Sequence, residues 1–304
     1  IYNRKNCKYC SKLEHMNNNN PILKNNNDKY NSILFNSIKS KDFIPSIKYA
    51  IEDTIKNIDF ICANKEQPTF NNVIVSFENA FDLFEHAVTI YYHYFSSVAD
   101  EEVRKIAGDV SSMNAKLNND IYLNESLFDK IKNVYKNKDK YSEQSDDIRL
   151  IEETYMSFVR NGANLSQEEK VKYRKLSEEL SQLSPKYSNN LLNATNKINE
   201  YWISDIKDIS GIPDNAAEAA KLYADDKGRD NEWCFTLDTN FGILLKTCDN
   251  RKIREDVYRI YGSKCNGDEF DNSDTLKKIS KLRHERANLL GFDTHADFVL
   301  KKRM

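Results

Sequence analysis

Histidine and glutamate lie side by side at one point of this sequence, in His284-Glu285-Arg286-Ala287-Asn288. Two histidines four residues apart share one helix face and can hold zinc, and a glutamate beside the first can act on a bound water; this is the chemistry of H-E-x-x-H. Here Asn288 stands in place of the second histidine, and a neutral amide is a poor zinc ligand. We therefore predict an ordinary packed helix. The alternative is a self-contained zinc site that uses His284, Glu285 and a cysteine or histidine from elsewhere.

Two further sets of candidate ligands are better explained without a metal. Cys7 and Cys10 are followed by His15, which could be half of a zinc knuckle or a redox pair. Structural zinc needs four ligands and no second pair follows at a suitable spacing, so we expect a chance pair in a frayed terminus. His86 and His93 lie seven residues apart, whereas chelation on a helix needs three or four, and we expect them on a solvated polar face.

The remaining motifs give few signs of catalysis. The glycines form no phosphate-binding loop and no dinucleotide fingerprint, and no G-x-S-x-G is present. The carboxylate pairs Asp146–Asp147 and Asp225–Asp226 are adjacent, so on a helix they point about 100° apart and should be solvated. The other cysteines, which we expect to act as small hydrophobes in a reducing compartment, are Cys62, Cys234, Cys248 and Cys265.

Composition indicates a folded protein without nucleic-acid or membrane partners. The 304 residues carry 45 Lys and Arg against 47 Asp and Glu, which gives a net charge of −2. A protein that neutralises a phosphate backbone needs a basic face, and this balance does not indicate one. No run approaches the roughly 18 apolar residues of a transmembrane helix, and the N-terminal residues lack a signal-peptide pattern.

Helical periodicity dominates from about residue 43 onward. Eight glycines and five prolines are few for this length, which favours long helices. Over 71–98 the apolar residues are spaced alternately three and four apart, which predicts one continuous seam that neighbouring helices must cover. The seam residues are Ile74, Phe77, Phe81, Phe84, Val88, Tyr91 and Phe95. We therefore predict a mostly α-helical, multi-helix bundle.

Capping residues and breakers divide the chain into further elements. Asp100 should cap one helix, and Ser166 with Glu169 forms a capping box before a long helix that Pro185 should kink or divide. Two short stretches rich in aromatic and β-branched residues predict a small two-strand β element near 200–238. The predicted strands are 200–204 and 233–237, and the other predicted helices span 126–137, 146–160, 213–228, 250–264, 272–290 and 294–302.

Longer phrases carry more information than these short motifs. In the first half they are Pro68-Thr-Phe-Asn-Asn-Val-Ile, Asn119-Asp-Ile-Tyr-Leu-Asn and Phe158-Val-Arg-Asn-Gly-Ala-Asn-Leu-Ser. In the second half they are Trp233-Cys-Phe-Thr-Leu, Asp249-Asn-Arg-Lys-Ile-Arg-Glu with Tyr258, Leu282-Arg-His-Glu-Arg-Ala-Asn-Leu-Leu-Gly-Phe and Thr294-His-Ala-Asp-Phe. Over roughly 21–304 this ordered set resembles the thimet oligopeptidase and oligopeptidase A family of zinc metallopeptidases, and most of all its peptidyl-dipeptidase branch. Thr247-Cys248 departs from the family, which usually has an aromatic and a small residue there.

The resemblance implies the N-terminal part of a two-lobed helical peptidase. Residues 1–20 would be a disordered or extended tail, 21–200 an N-terminal helical domain, and 201–304 the start of the catalytic region, truncated before the zinc motif. The whole enzyme would hold one Zn²⁺ through two histidines and a glutamate in the missing C-terminal part, with no catalytic or metal-binding residue in this chain. It would hydrolyse short unstructured peptides in a channel between the lobes. It would be a monomer in the cytoplasm or, alternatively, in the bacterial periplasm.

Trp233, Arg251 and Arg254 are the residues that we expect to line this channel. Arg251 and Arg254 are three apart and so share a helix face, where they could meet a peptide carboxylate. The alternative, which we favour, is that they pair with Glu255 or Asp256 on a packed helix. A different function is also open: a non-catalytic helical scaffold or interaction protein derived from the family.

Overall fold

The structure is a computed structural model that describes residues 20–24, 32–97, 100–140 and 145–303. Helices dominate these residues and the strands among them are two short ones, which confirms the predicted mostly α-helical fold with a small β element. The predicted tail, with Cys7, Cys10 and His15, lies outside the described residues except for Asn20. Across the described part of the chain, no helix has both the length and the apolar character needed to cross a membrane.

The described residues form two compact units. The first comes from the described parts of Ile1–Gln182 and Leu282–Met304, and the second is Leu183–Lys281. The helices up to residue 200 are α1 (Ser40–Ala63), α2 (Ser76–Asn79), α3 (Asp82–Ser97), α4 (Glu101–Lys105), α5 (Ala107–Tyr122), α6 (Glu125–Lys136), α7 (Ser145–Arg160) and α8 (Gln167–Lys197). They are followed by β1 (Glu200–Ile203), α9 (Asp214–Asp226), β2 (Trp233–Thr236), α10 (Leu237–Thr247), α11 (Arg251–Gly262), α12 (Ser273–Leu289) and α13 (His295–Leu300).

The apolar seam predicted over 71–98 is covered, but it does not lie on one continuous α-helix. Phe70–Val75 forms a π-helical turn, and a two-residue turn then separates α2 from α3. The Ser76 N–H and hydroxyl both donate to the Asn71 carbonyl oxygen, the hydroxyl at 3.0 Å, which stabilises the wider turn. The buried seam residues are Ile74, Phe77, Phe84 and Tyr91, and those partly buried against the same core are Phe81, Val88 and Phe95.

Phe158 lies fully buried in the core of the first unit. Its ring packs against those of Phe77, Tyr122 and Phe128, with centroids 5.4, 4.9 and 5.9 Å away. A few residues later Gly162 turns the chain with a φ of +91°, a conformation that glycine adopts without a steric penalty. The phrase that begins at Phe158 therefore fixes the turn that leads into α8.

The predicted helix caps are confirmed. Asp100 accepts a hydrogen bond from the Val103 N–H at 2.7 Å at the start of α4. Ser166 and Glu169 bond reciprocally before α8: the Ser166 N–H donates to the Glu169 carboxylate at 2.9 Å, and the Glu169 N–H donates to the Ser166 hydroxyl at 3.4 Å. Each bond satisfies a backbone donor that the first turn of a helix would leave unpaired.

The predicted division of the long helix at Pro185 is wrong. Proline has no N–H to donate to the carbonyl four residues earlier, which is that of Ser181. The Ser111 hydroxyl donates to this carbonyl oxygen at 2.8 Å and replaces the missing bond. The helix therefore continues through Pro185 to Lys197.

The core of the second unit is built around the two strands. They pair in an antiparallel manner, with Glu200 opposite Thr236 and Ile203 opposite Trp233. The helix α9 packs against β2, and α10 packs against α11. The buried residues of this core include Ile203, Phe235, Leu237, Leu244 and Val257.

Candidate functional site

The three residues predicted to line a channel all belong to the second unit, but they lie in two different grooves. Trp233 lines a groove of about 510 Å³ beside α9. Arg251 and Arg254 line another, of about 530 Å³, on α11. The other residues of this second groove, called the arginine groove below, are Leu245, Glu255, Tyr258 and Arg259. The structure thus brings the two arginines together and leaves Trp233 apart from them.

Hydrogen bonds to the loop 208–211 fix the chain just before α11. The Asp249 carboxylate accepts from the Ser210 hydroxyl at 2.7 Å, and the Asp249 N–H donates to the Ser210 carbonyl oxygen at 2.9 Å. The Asn250 amide donates to the Asp208 carboxylate at 2.7 Å. The Asn250 side-chain oxygen also caps α11 by accepting from two backbone N–H groups. Asp249 and Asn250 therefore hold the structure that presents Arg251.

Gly211 makes this close packing possible. Its φ is +83°, and a Cβ at this position would lie only 2.2 Å from the Thr247 carbonyl oxygen. Cys248, next in the chain, is buried, and burial raises the pKa of its thiol. Thr247-Cys248, where the sequence departs from the resembled family, is thus a packed segment that ends α10.

Arg254 has neither of the partners considered from the sequence. Its Nη1 donates to the carbonyl oxygens of Cys248 and Asp249 at 2.6 and 2.9 Å. The predicted carboxylate partners are bound by other cations, because Arg259 lies 2.8 Å from Glu255 and Lys252 lies 2.8 Å from Asp256, each one helical turn away. The spacing of charged side chains does not indicate a hydrogen bond to a backbone carbonyl, so this contact of Arg254 could not be predicted from the sequence.

Arg251 differs from its neighbours in the arginine groove. It is exposed at the first position of α11, and its described interaction is an electrostatic one that helps to lower the pKa of Glu255. The hydrogen bond from Arg259 lowers the pKa of Glu255, so this carboxylate is ionised at neutral pH and neutralises that arginine. The groove is therefore positive around Arg251 and Arg254, and it can attract an anion.

The groove beside Trp233 is mainly apolar. The indole is partly buried, and the Lys221 ammonium lies 5.9 Å from its ring centroid. Lys221 also pairs with Asp225 at 2.7 Å, so this residue of the adjacent carboxylate pair is engaged in a surface ion pair. Leu222, on the same rim, is 67% exposed. This groove offers apolar contact rather than a pair of groups for proton transfer.

The residues described here do not fit a zinc site. His284 is exposed, and the Asn288 amide donates to the carbonyl oxygens of Phe292 and Asp293 at 2.8 and 2.9 Å, so it closes the end of α12. Within the described ranges, no three His, Cys, Asp or Glu side chains are grouped closely enough to hold a metal ion. This position lies on an α-helix, as predicted.

His86 and His93 contact different neighbours. The His86 Nε2 lies 3.1 Å from the Ile22 carbonyl oxygen. The His93 ring packs near the Phe35 ring, with centroids 5.3 Å apart. Both histidines are exposed, as predicted for a polar helix face.

Comparison with known proteins shows which family this chain resembles. The family model described as peptidase family M3 matches residues 244–304, which include α11 and the loop that precedes it. Over 287 residues the chain is 27% identical to a dipeptidyl carboxypeptidase of Escherichia coli (strain K12), covering 94% of this chain and 42% of that protein. The chain thus resembles peptidase family M3 over residues 244–304 and a dipeptidyl carboxypeptidase over most of its length.

Other relatives show the same similarity and how much of their length is matched. The chain is 26% identical over 277 residues to oligopeptidase A of Salmonella typhimurium (strain LT2), covering 89% of this chain and 40% of that protein. It is 27% identical over 277 residues to an organellar oligopeptidase A of Arabidopsis thaliana, covering 89% and 35%. This chain therefore spans about two fifths of the length of the relatives that it matches. The resemblance predicted from the ordered phrases is confirmed.

Proposed function

We propose that this chain is the N-terminal portion of a zinc-dependent oligopeptidase or peptidyl-dipeptidase that hydrolyses short peptides. The observation that carries the proposal is the match of relatives named dipeptidyl carboxypeptidase and oligopeptidase A to 94% and 89% of this chain. In this proposal the chain lines the substrate channel through Trp233, Arg251 and Arg254. The zinc ligands are contributed by a C-terminal catalytic region outside this sequence, because the residues described here do not fit the ion.

Exposed apolar side chains support a partner for the second unit. Ile206 and Leu222 are each 67% exposed, and Leu222 lies on the rim of the mainly apolar groove beside Trp233. We propose that the catalytic region of the same protein covers part of this surface. We further propose that the whole protein is a monomer in the cytoplasm, with the bacterial periplasm as the alternative.

The experiment compares the 304-residue chain with a longer chain read from the same coding sequence through its H-E-x-x-H motif. Each protein is purified, its zinc content is measured by mass spectrometry, and it is incubated with an N-terminally blocked tetrapeptide. We expect the longer chain to hold one zinc ion and to hydrolyse the peptide in a chelator-sensitive manner. We expect the 304-residue chain to do neither.

Two controls decide between the proposal and its alternatives. Replacement of the glutamate in the H-E-x-x-H motif should abolish hydrolysis by the longer chain without releasing zinc, which excludes a contaminating peptidase. Chelator-sensitive hydrolysis by the 304-residue chain, lost on His284→Ala, would establish a self-contained zinc enzyme instead. A stop codon directly after Met304 would favour the non-catalytic scaffold and would refute the proposal.

A further inference from the structure

We propose that Asn266-Gly267 is a site of self-modification, at which the chain converts Asn266 into isoaspartate or aspartate with the help of the Asp271 carboxylate. The reaction begins when the backbone nitrogen of the next residue reaches the side-chain carbon of an asparagine. A following glycine favours this step, because it has no side chain to obstruct the approach. The sequence contains two such pairs, Asn161-Gly162 and Asn266-Gly267, and their surroundings in the structure differ.

Asn266 lies in the loop 263–272, between α11 and α12. Its side chain is exposed, and its amide has no hydrogen-bond partner among the residues that the structure describes. Gly267 has a φ of +75°, and nothing lies within 4 Å of the position that a Cβ would occupy there. The Asn266 side chain can therefore turn toward the Gly267 nitrogen without breaking a hydrogen bond.

The Asp271 carboxylate is placed to accept the proton that the Gly267 nitrogen must lose. Hydrogen bonds from Ser273 hold the pKa of the Asp271 carboxyl below its usual range, and the Gly267 N–H and Lys277 act in the same direction. One of these bonds, from the Ser273 N–H, is 2.7 Å long. Asp271 is therefore ionised at neutral pH and faces the Gly267 N–H. A carboxylate in this position can act as a general base.

The reaction requires no reagent other than water. The Gly267 nitrogen forms a bond to Cγ of Asn266 while its proton passes to the Asp271 carboxylate. The bond from Cγ to the amide nitrogen then breaks, and this nitrogen takes the proton back from Asp271 and leaves as ammonia. Water opens the resulting cyclic imide at either carbonyl carbon. Opening at Cγ gives aspartate, and opening at the backbone carbonyl gives isoaspartate, in which the backbone runs through the former side chain.

The other pair, Asn161-Gly162, is held in a geometry that opposes this reaction. The Asn161 amide donates to the Ser157 carbonyl oxygen at 2.8 Å, and its side-chain oxygen accepts from the Tyr173 hydroxyl at 3.3 Å. The Gly162 N–H donates to the Val159 carbonyl oxygen at 3.2 Å. Attack of this nitrogen on the Asn161 side chain would disrupt these bonds, so we expect the pair to persist while the fold is intact.

Modification should loosen the loop between α11 and α12. The loop is closed by two hydrogen bonds of 2.9 Å, from the Cys265 N–H to the Asp268 carboxylate and from the Asn272 N–H to the Cys265 carbonyl oxygen. Cys265 has a φ of +58°, which is unfavourable for a residue with a side chain. Isoaspartate lengthens the backbone inside this closed loop. Its new negative charge also lies near those of Asp268 and Asp271.

The test follows the purified 304-residue chain during incubation at mildly alkaline pH, by digestion and mass spectrometry with electron-transfer fragmentation. We expect an amide-to-acid mass change at Asn266, with isoaspartate as a product, while Asn161 keeps its amide. Gly267→Ala should slow the change about tenfold or more, because a methyl group obstructs the approach. Asp271→Asn keeps an oxygen for the Ser273 N–H but cannot take the proton, so it should also slow the change about tenfold.

Two variants and one solvent condition are the controls. Gly228→Ala alters another glycine with a positive φ and open surroundings, and Asp274→Asn removes an exposed charge close to the loop. Both should convert Asn266 at the parent rate, and circular dichroism should show that every variant is folded. In concentrated urea, Asn161 and Asn266 should convert at similar rates. Equal rates at the two sites in the folded chain, or a parent rate in Asp271→Asn, would overturn the inference.

Discussion

Gly211 is the position in the second unit where one added methyl group should be most damaging. Its φ of +83° is unfavourable for any residue with a Cβ, and this Cβ would lie 2.2 Å from the Thr247 carbonyl oxygen and 2.8 Å from a carboxylate oxygen of Asp249. No rotation of the new methyl group relieves such a contact, because Cβ is fixed by the backbone. Gly211→Ala must therefore move the loop 208–211 away from the start of α11.

The expected loss of stability has two parts. The left-handed conformation costs a residue with a side chain about 1–2 kcal/mol. Moving the loop also lengthens the two hydrogen bonds between Ser210 and Asp249, and each such bond contributes about 0.5–1.5 kcal/mol. Together these terms predict that Gly211→Ala lowers the free energy of unfolding of the second unit by roughly 2–5 kcal/mol.

Two other glycines separate these contributions. Gly228 also has a positive φ, +76°, but nothing lies within 4 Å of its Cβ position, so Gly228→Ala should cost only about 1–2 kcal/mol. Gly242 lies inside α10 with an ordinary φ and open space around it, so Gly242→Ala should stabilise the unit by about 0.5–1 kcal/mol. Urea unfolding followed by tryptophan fluorescence reports on this unit, because Trp202 and Trp233 both belong to it. If Gly211→Ala cost no more than Gly228→Ala, the close approach to α11 would be refuted.

Three further predictions concern the thiol of Cys234, the end of α12 at Asn288 and the contact between Arg160 and Phe298 in the first unit. Burial raises the pKa of Cys234 from 9.0 to about 11, so folding favours the protonated thiol. The free energy of unfolding should therefore fall as the pH rises from 9 toward 11. Cys234→Ala should reduce that fall, measured by urea unfolding at several pH values. Asn288→His creates the motif H-E-x-x-H but removes two hydrogen bonds at the end of α12. The variant should therefore have a lower melting temperature, and mass spectrometry should find no stoichiometric zinc in it. Arg160→Ala removes a hydrogen bond to the Phe298 carbonyl oxygen, 2.7 Å, and a guanidinium 4.3 Å from the Phe298 ring, so it should cost about 1–3 kcal/mol in urea unfolding followed by circular dichroism.

Each of these has an outcome that contradicts it. An unchanged pH dependence in Cys234→Ala would show that other groups cause the alkaline loss. One zinc ion per chain in Asn288→His would show that a third ligand lies within reach of His284. An Arg160→Ala protein as stable as the parent would show that Arg160 does not stabilise the packing of α13. The matched control is Arg149→Ala, because Arg149 is an exposed arginine on the same helix, α7.

Features that depend on near neighbours in the chain could be predicted from the sequence. The caps at Asp100 and Ser166 join atoms three residues apart, so residue type and spacing contain the whole interaction. The same holds for the two strands, whose composition is distinctive, and for the helices that begin near 126, 146 and 250. The burial of the apolar seam could likewise be predicted from the spacing of its residues, alternately three and four apart.

Features that depend on distant partners could not be predicted. The helix α10 begins directly after β2 because Asn199 accepts the N–H groups of Leu237 and Asp238 at 2.7 and 2.8 Å, from a position far back in the chain. The continuity of α8 through Pro185 depends in the same way on the hydroxyl of Ser111. Neither bond has a local signature, and the sequence predicted no helix at α10 and a kink or division of α8 at Pro185.

Most residues of the phrase Asp249-Asn-Arg-Lys-Ile-Arg-Glu, at the start of α11, have a structural role. Asp249 and Asn250 bond to the loop 208–211, and Arg254 bonds to two backbone carbonyls through Nη1, so most of the phrase that resembles the family holds this corner together. A structural role explains those residues without any ligand. Arg251 has a weaker structural role, because its charge lies at the unfavourable end of a helix and its described interaction is an electrostatic one with Glu255. If the attraction to Glu255 is the larger effect, Arg251→Gln should lower the free energy of unfolding; if the repulsion at the helix end is larger, the same change should leave stability equal or improved.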